Sequence, residues 1–513
     1  MLTSSCRLQA SNFQGSTNII RKQFDQDVRH LVKIKVVHGS WRSDDGNGLN
    51  IAEACSRHAN VENIKAYMPE AYGTHHSKMI VLFCHNDVAQ VAITTGNFIE
   101  KDWSMSQAFW CSPELPLSTS TGVDGDMRIG SGERFKIDLL AYFKAYGSKL
   151  TSLQNQIRQY DFHAVRAALV ASVPSKLRPS SVSYDEPLWG LPALKRVLKH
   201  VRTNPTKQAH IVTQMSSVAS VGEKWLTDTF FTALSTTSNC LTPSWSTPKY
   251  SIIFPTPAEI RNSISGYGSG SSIHMKISAP AQQRQLDFLR PMLCHWGPSK
   301  PPSAASSGTA RNPVNVEEVE KPSISTDLPT KTGKAARHPA APHIKTYTRF
   351  SDSSMQTIDW AMMTSANLST QAWGSSIKDA EVRICSYEIG VVVWPALWEE
   401  DGRKAIMVPK FGGDMPTEAD RPPRVETQDA TEGYDNDEHV WAQDEHTTAD
   451  EAKGKQRTEN SRTAEQEKDA GMLVGWRMPY DLPLNPYKSG EDPWCNSIAH
   501  HEPDWMGRNW PGR

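Results

Sequence analysis

Two clusters in this sequence each combine an imidazole, an ammonium and a carboxamide, side chains able to attack, neutralise and hydrogen-bond a phosphoryl group. In the later one, PHIKTYTRFSDSSMQTIDWAMMTSANLSTQAW, His343 and Lys345 lie two residues apart and Asn367 closes the next apolar run. In the earlier one, GTHHSKMIVLFCHNDVAQVAITTGNFIEKDWSMSQAFW, His76 and Lys78 open a run that reads as a strand and Asn97 closes the next. Residues two apart on a strand leave the same face of a sheet. Asn97 follows Lys78 by 19 positions and Asn367 follows Lys345 by 22, so the chain carries two half-sites of one design.

Hydrolysis of a phosphodiester needs a nucleophile at an anionic centre and a proton for a poor leaving oxygen, and two histidines supply both. One neutral imidazole attacks phosphorus to form a phosphohistidine. The other, protonated, donates to the leaving oxygen and later takes a proton from water. An unperturbed pKa of roughly 6.5 lets two such rings hold opposite states near neutral pH. Lys78 and Lys345 would neutralise the non-bridging oxygens, and Asn97 and Asn367 would donate amide hydrogen bonds. This chemistry needs no metal and no cofactor, and neither half-site carries the acidic cluster of a two-metal centre. A third His-x-Lys, His274 to Lys276, has no asparagine after it until Asn312 and reads as incidental.

The half-sites must be positioned by layers of strand and helix. LVKIKVVHG reads as a strand, GLNIAEACSRHA as a short helix, and FKIDLLAYFKAYGSKLTSLQNQIRQY as one helical stretch. From AALVASVP the pattern restarts with the helix LPALKRVLKHV, the strand AHIVTQMSSVASVG, the helix KWLTDTFFTAL and the strand YSIIFPT. Alternation of this kind predicts α/β layers with mixed sheets, and the long repeat predicts a duplicated domain. The boundaries are residues 1–165 and 166–513, with 1–30 poorly patterned. Residues 297–340, rich in Pro, Ser, Ala and Lys, and 412–470, with an acidic tract from Glu426 to Glu451, read as disordered inserts. Beyond them PYDLPLNPY and the Trp-rich end predict an ordered terminus packed on the second domain.

At 513 residues the chain exceeds one ordinary hydrophobic core. A net charge of −1 announces no nucleic-acid partner globally, so a phosphate-binding surface must be local. Eight scattered cysteines without a CxxC pair suit reduced thiols in a nuclear or cytosolic protein. No apolar run approaches the roughly 18 residues of a membrane span, and the N-terminus lacks a signal core, which predicts a soluble chain without a membrane partner.

At the paired His-x-Lys and Asn residues the chain resembles the phospholipase D superfamily and, within it, the tyrosyl-DNA phosphodiesterase family. The superfamily usually places an aspartate five positions after the lysine, whereas Phe83 and Phe350 stand here, as in that family. AYGTHHSKM, FKIDLLAY, QMSSVASVG, TSANLSTQAWG, RICSYEIGVV and PYDLPLNPY also look like it, from about Val36 to the C-terminus. The resemblance implies two similar α-β-α sandwich domains with the active site at their pseudo-twofold interface. It implies His76 as nucleophile, His343 as proton donor and acceptor, and Lys78, Lys345, Asn97 and Asn367 as the phosphate clamp. Gln107 and Glu388 match groups that orient the histidines, and Ser217 matches a position that binds the DNA backbone. Tyr72 and Trp373 are candidate cleft walls, although aromatics at such positions more often pack into the core.

The substrates implied are DNA 3′ ends, single-stranded, nicked or duplex, carrying a phosphotyrosyl peptide from topoisomerase I or another block. The implied product is a 3′-phosphate, made by a monomer acting in DNA repair in the nucleus. The chain departs from the family at residues 1–30, where no first strand is legible and the first sheet is expected to be weakened. Two alternatives follow: an inactive DNA-end-binding member, or a broader phospholipase D-type nuclease.

Overall fold

A computed structural model of the chain describes residues 7–11, 23–40, 42, 44–119, 126–238, 247–297, 333–400, 402–423 and 471–512. In the first part of the chain seven strands form one sheet: Arg7–Ser11 (β1), Ile34–His38 (β2), Val61–Lys65 (β3), Met79–Phe83 (β4), Val88–Thr94 (β5), Phe109–Cys111 (β6) and Leu115–Pro116 (β7). Their order is β3-β2-β1-β4-β5-β6, with β7 also on β5. The first three run parallel and the rest alternate. In β4, MIVLF, Met79, Val81 and Phe83 are fully buried on one face while Ile80 and Leu82 pack with Val36, Ile51 and Phe98 on the other. The helix Gly46–Ser56, capped where the Asp45 side chain accepts from the Asn47 N–H, supplies Ile51 and Cys55 to that second face.

The remaining strands are Ala168–Ser172 (β8), Ser175–Leu177 (β9), His210–Gln214 (β10), Ser217–Val218 (β11), Lys249–Ile253 (β12), His274–Met275 (β13) and Leu293–Cys294 (β14). They continue with Thr346–Phe350 (β15), Ile358–Thr364 (β16), Ser375–Ser376 (β17), Val382–Ile384 (β18), Glu388–Val393 (β19), Ala405–Lys410 (β20) and Met472–Arg477 (β21). Nine of them form the second sheet, in the order β14-β12-β10-β15-β16-β19-β8, with β20 on β16 and β21 on β20. Two small sheets, β11-β13 and β17-β18-β9, lie outside it. Again three parallel strands, β14, β12 and β10, are followed by an antiparallel series. β15 and β16 are buried along their whole length, as expected of strands covered on both faces.

Placed side by side, the two sheets repeat one strand order. β1 corresponds to β10, β4 to β15, β5 to β16 and β6 to β19. One apolar core runs through both, and β5 packs against β16 and β19. The helix Gly132–Lys144 contributes Phe135, Leu139, Tyr142 and Phe143 to it, starting where the Ser131 hydroxyl accepts from the Arg134 N–H. Among the described residues no helix is long and apolar enough to cross a membrane.

Four sequence expectations need correction. The poorly patterned N-terminus contains β1, which pairs with β2 on one side and β4 on the other and therefore fills the sheet instead of leaving it weak. The stretch 135–160 is not one helix: it breaks at Gly147, whose φ of 66° is open to glycine at little cost, and resumes at Thr151–Ile157. KWLTDTFFTAL contains a π-helical segment, Leu226–Phe231. Part of each segment expected to be disordered is described, Gly297 and residues 333–340 in one and 412–423 in the other. The Ala335 N–H donates to Asp481, and Lys410 pairs with Asp420. Residues 298–332 and 424–470 lie outside the described residues. The aromatic C-terminal segment does pack on the second half, with the buried Trp494 indole donating to the Gly270 and Ile273 carbonyls.

β1 gives a test. Deleting residues 1–12 opens two unpaired strand edges in the middle of the first sheet, and the truncated chain is expected to lose its cooperative thermal transition or to aggregate. An unchanged melting temperature would show that the strand is dispensable.

Candidate active site

Each half-site is built the same way. His76 and Lys78 stand immediately before β4, His343 and Lys345 immediately before β15. The Lys78 carbonyl accepts the Thr94 N–H at 2.9 Å and the Lys345 carbonyl accepts the Thr364 N–H at 3.1 Å, which locks each His-x-Lys to the end of its neighbouring strand. There Thr94 and Thr364 turn the chain, their hydroxyls accepting from the Gly96 N–H at 3.2 Å and the Ala366 N–H at 3.1 Å. The next residues are Asn97 and Asn367. The interval between lysine and asparagine is thus the length of two antiparallel strands and their connection.

Each half also holds the histidine of the other. The His76 N–H donates to the Tyr387 carbonyl at 2.9 Å, and the His343 N–H donates to the Ser106 carbonyl at 3.0 Å. Return bonds run from the Tyr387 N–H to the Thr74 carbonyl and from the Ser106 N–H to the Ala341 carbonyl, both 2.9 Å. The two half-sites therefore meet. One cavity of about 340 Å³ is lined by His76, Asn97, His343, Asn367, Glu388 and Ser217, with Tyr72, Lys101 and His274 at its sides. A larger cleft of about 930 Å³, between Asp126–Glu133 and Trp394–Glu400, shares no residue with it.

The lysines lie beneath this cavity, fully buried. Lys78 Nζ donates to the His76 carbonyl at 2.7 Å and Lys345 Nζ to the His343 carbonyl at 3.0 Å. Burial lowers Lys78 to about 7, against the pull of Glu388 and Asp102, and burial together with the charge of Lys78 takes Lys345 well below the ordinary lysine value. His343 is pushed well down by burial and by Lys345, Lys78, His76 and His274. Burial also lowers His76, with Glu388 opposing and Lys78 and Lys345 assisting. Several buried groups that would carry positive charge surround one small space, an arrangement an entering anion would relieve.

The two rings differ in their partners. His76 Nδ1 faces both Glu388 oxygens, at 2.9 and 3.1 Å. Burial would raise the Glu388 carboxyl, but His76 and Lys78 and a hydrogen bond from Ser365 hold it below its usual value. An ionised carboxylate requires Nδ1 to carry the proton, leaving the lone pair of His76 on Nε2. His343 Nδ1 has no hydrogen-bond partner, and its nearest carboxylate oxygen is Asp102 Oδ2, at 3.5 Å.

Gln107 occupies the position in the first half that Glu388 occupies in the second. Ala108 N–H donates to Thr95 Oγ1 as Ile389 N–H donates to Ser365 Oγ, each at 3.0 Å. Yet Gln107 reaches His343 only through another residue: its Oε1 accepts from Thr95 at 3.1 Å and its Nε2 donates to the Asp102 carbonyl at 2.8 Å. Ser217 uses its N–H on Asn367 Oδ1, at 3.0 Å. Tyr72 lines the cavity and is 73 % exposed, whereas Trp373 is buried against Phe230 and Tyr347 and forms no wall. The His-x-Lys read as incidental is not remote. Pairing of β13 with β11 sets His274 opposite Ser217 at the cavity side. Asp102 went unnoticed in the sequence, where EKDWS resembles a surface turn.

Duplicated mixed sheets whose paired His and Asn residues line one cavity, with the paired lysines buried beneath it, define a phospholipase D-like phosphodiesterase. The yeast tyrosyl-DNA phosphodiesterase structure has the same fold, with a TM-score of 0.57 at 17 % identity over 97 % of this chain and 94 % of that one. A family model described as tyrosyl-DNA phosphodiesterase matches residues 4–488, and the chain belongs to that family. It is 27 % identical to the probable tyrosyl-DNA phosphodiesterase of Schizosaccharomyces pombe over 98 % of this chain and 89 % of that protein. Identity to tyrosyl-DNA phosphodiesterase 1 of Arabidopsis thaliana is 25 %, over 94 % of this chain and 68 % of that protein. It is thus a hydrolase of phosphoric diester bonds, of a family that acts in DNA repair.

The depressed lysines predict proton uptake on anion binding. With Lys78 near 7 in the empty site, a bound phosphate at pH 8 restores the ammonium. Calorimetry of a 3′-phosphate oligonucleotide in buffers of different ionisation enthalpy should register net proton uptake at pH 8, and a smaller contribution from Lys78 at pH 6, where it is already charged. Heat independent of the buffer at pH 8 would contradict it. A Cβ on Gly73 would stand 2.2 Å from the Cys385 carbonyl at the seam. Gly73→Ala is expected to cost about 1–3 kcal/mol and to lower turnover; an unmoved denaturant midpoint would refute the close approach.

Proposed function

We propose that this chain is a metal-independent 3′-tyrosyl-DNA phosphodiesterase that works through a covalent phosphohistidine. His76 Nε2 attacks phosphorus as the bond to the tyrosyl oxygen breaks, and His343 gives that oxygen its proton. A water then loses a proton to His343 and attacks, the phosphorus–nitrogen bond breaks, and a 3′-phosphate leaves with His76 restored. Lys78, Lys345, Asn97 and Asn367 hold the non-bridging oxygens. The observation that carries the assignment is the Glu388 carboxylate on His76 Nδ1, which commits that ring to the attacking tautomer. His343 has no such bond, which suits a ring that must gain and lose a proton.

The DNA strand enters on the Ser217 side and topoisomerase I-derived peptide or another 3′ block leaves opposite, with the chain acting as a monomer in the nucleus. β1 supports the active reading over that of an inactive end-binding member, since the first sheet has its full strand order.

Release of tyrosine from a 3′-phosphotyrosyl oligonucleotide in EDTA, with no choline released from phosphatidylcholine, is the expected result. His76→Ala should abolish adduct formation, and His343→Asn should slow its release by about 10²- to 10⁴-fold so that it accumulates. Near-normal turnover by His76→Ala would end the nucleophile assignment.

A further inference from the structure

The two asparagines are not held alike. Asn367 Oδ1 accepts from the Ser216 and Ser217 N–H groups at 3.2 and 3.0 Å and from the Ser216 hydroxyl at 3.3 Å, which leaves its amide nitrogen for a ligand in the cavity it lines. Asn97 is tied instead to one oxygen of Asp102, receiving its backbone N–H at 3.1 Å and its Nδ2 at 2.6 Å. Asp102 is fully buried, in the 3-10 turn Glu100–Ser104, and its other oxygen faces the Ser272 hydroxyl at 3.3 Å.

The same Asp102 oxygen that holds Asn97 lies 3.5 Å from His343 Nδ1, a buried atom with no hydrogen-bond partner. One carboxylate oxygen thus stands between an amide of the phosphate clamp and the ring that transfers protons. Half an ångström of approach would turn the long contact into a charge-assisted hydrogen bond. Buried unsatisfied donors and acceptors are costly, so the contact is poised and not idle.

Taking the proposed function as given, we infer that substrate phosphate hands Asp102 from Asn97 to His343. A non-bridging oxygen takes the Asn97 amide, Asp102 Oδ2 loses that partner, and it accepts the Nδ1–H of His343. The ring takes one proton from solvent and becomes an imidazolium, with Nδ1–H on Asp102 and the Nε2 proton available to the leaving oxygen. When the 3′-phosphate departs, Asn97 returns to Asp102. Asp102 is then a positioning residue that acts through His343.

The surroundings of His343 give the exchange its purpose. Lys345 on its own segment, Lys78 and His76 from the first half and His274 from β13 all disfavour its proton, and burial does so most. In the empty site the acid is unloaded. An incoming phosphate offsets the cations and, by drawing Asn97 away, supplies the carboxylate. The second half has no counterpart, because the nucleophile His76 must stay neutral and already has Glu388.

The test is a titration of the His343 ring by imidazole ¹⁵N NMR on the full chain, assigned with His343→Gln, with and without a single-stranded oligonucleotide ending in 3′-phosphate. The unsubstituted protein should show a rise of at least about one pKa unit on binding, the size of effect a neighbouring carboxylate produces. Asp102→Asn should lose most of that rise and bring the alkaline limb of the kcat profile down, with KM little changed. Asn97→Ala, whose fold does not depend on the Asp102 substitution, should show the raised value before any oligonucleotide is added. An equal rise in Asp102→Asn, or an unraised His343 in free Asn97→Ala, overturns the inference while tyrosine release by the unsubstituted chain leaves the proposed function standing. Failure of the oligonucleotide to bind, with no tyrosine released, overturns both.

Discussion

The site exists because four main-chain hydrogen bonds cross between the halves: the His76 N–H donates to the Tyr387 carbonyl and the His343 N–H to the Ser106 carbonyl, each with its return bond. Neither half can orient its histidine alone. The residue after each accepting carbonyl is Glu388 in one case and Gln107 in the other, so the same crossing that fixes a histidine backbone also delivers the polar group that influences a ring. Backbone bonds of this kind carry no charge and are insensitive to salt, a suitable anchor for a place where several cationic groups are crowded. Loss of register at the seam would misplace the rings and their partners together.

Burying Lys78 and Lys345 beneath the cavity stores an electrostatic cost in the empty protein. The Glu388 and Asp102 carboxylates offset part of it, and the rest is relieved only by an anion that reaches the same space. This charge balance favours an anion over a neutral ligand in that space. Net charge over the whole chain is −1, so this local excess was invisible in the composition.

What could be read from the sequence was what local geometry encodes. His-x-Lys and the small-residue–Asn ending were legible because two antiparallel strands fix both the spacing and the threonine that turns the chain at Thr94 and Thr364. β1 was not legible: RLQAS alternates only through Leu8 and Ala10, too short and weakly apolar a run to stand out, and its place is set by β2 and β4 on either side. Asp102 stood among Glu100 and Lys101 like any solvated acid, and the later half-site has alanine, Ala372, at the matching interval. His274 was dismissed because it lacks a downstream asparagine, yet it reaches the site through β11–β13 pairing, a contact that no nearby residue encodes. Gln107 was found by likeness, but its hydrogen bonds go to Thr95 and Asp102, a distinction only coordinates make.

β20 and β21 pair in parallel, Ala405 beside Met472 and Lys410 beside Arg477. Chain leaving Lys410 must travel back the length of the pair before it re-enters at Met472, and no tight hairpin can make that journey. Parallel neighbours need a crossover of about a dozen residues or more. The connection is thus under a minimum-length constraint without an upper one, since lengthening a loop adds closure entropy only slowly. Insertions between Lys410 and Met472 should therefore be tolerated, while complete excision of the connection would cost the sheet its edge.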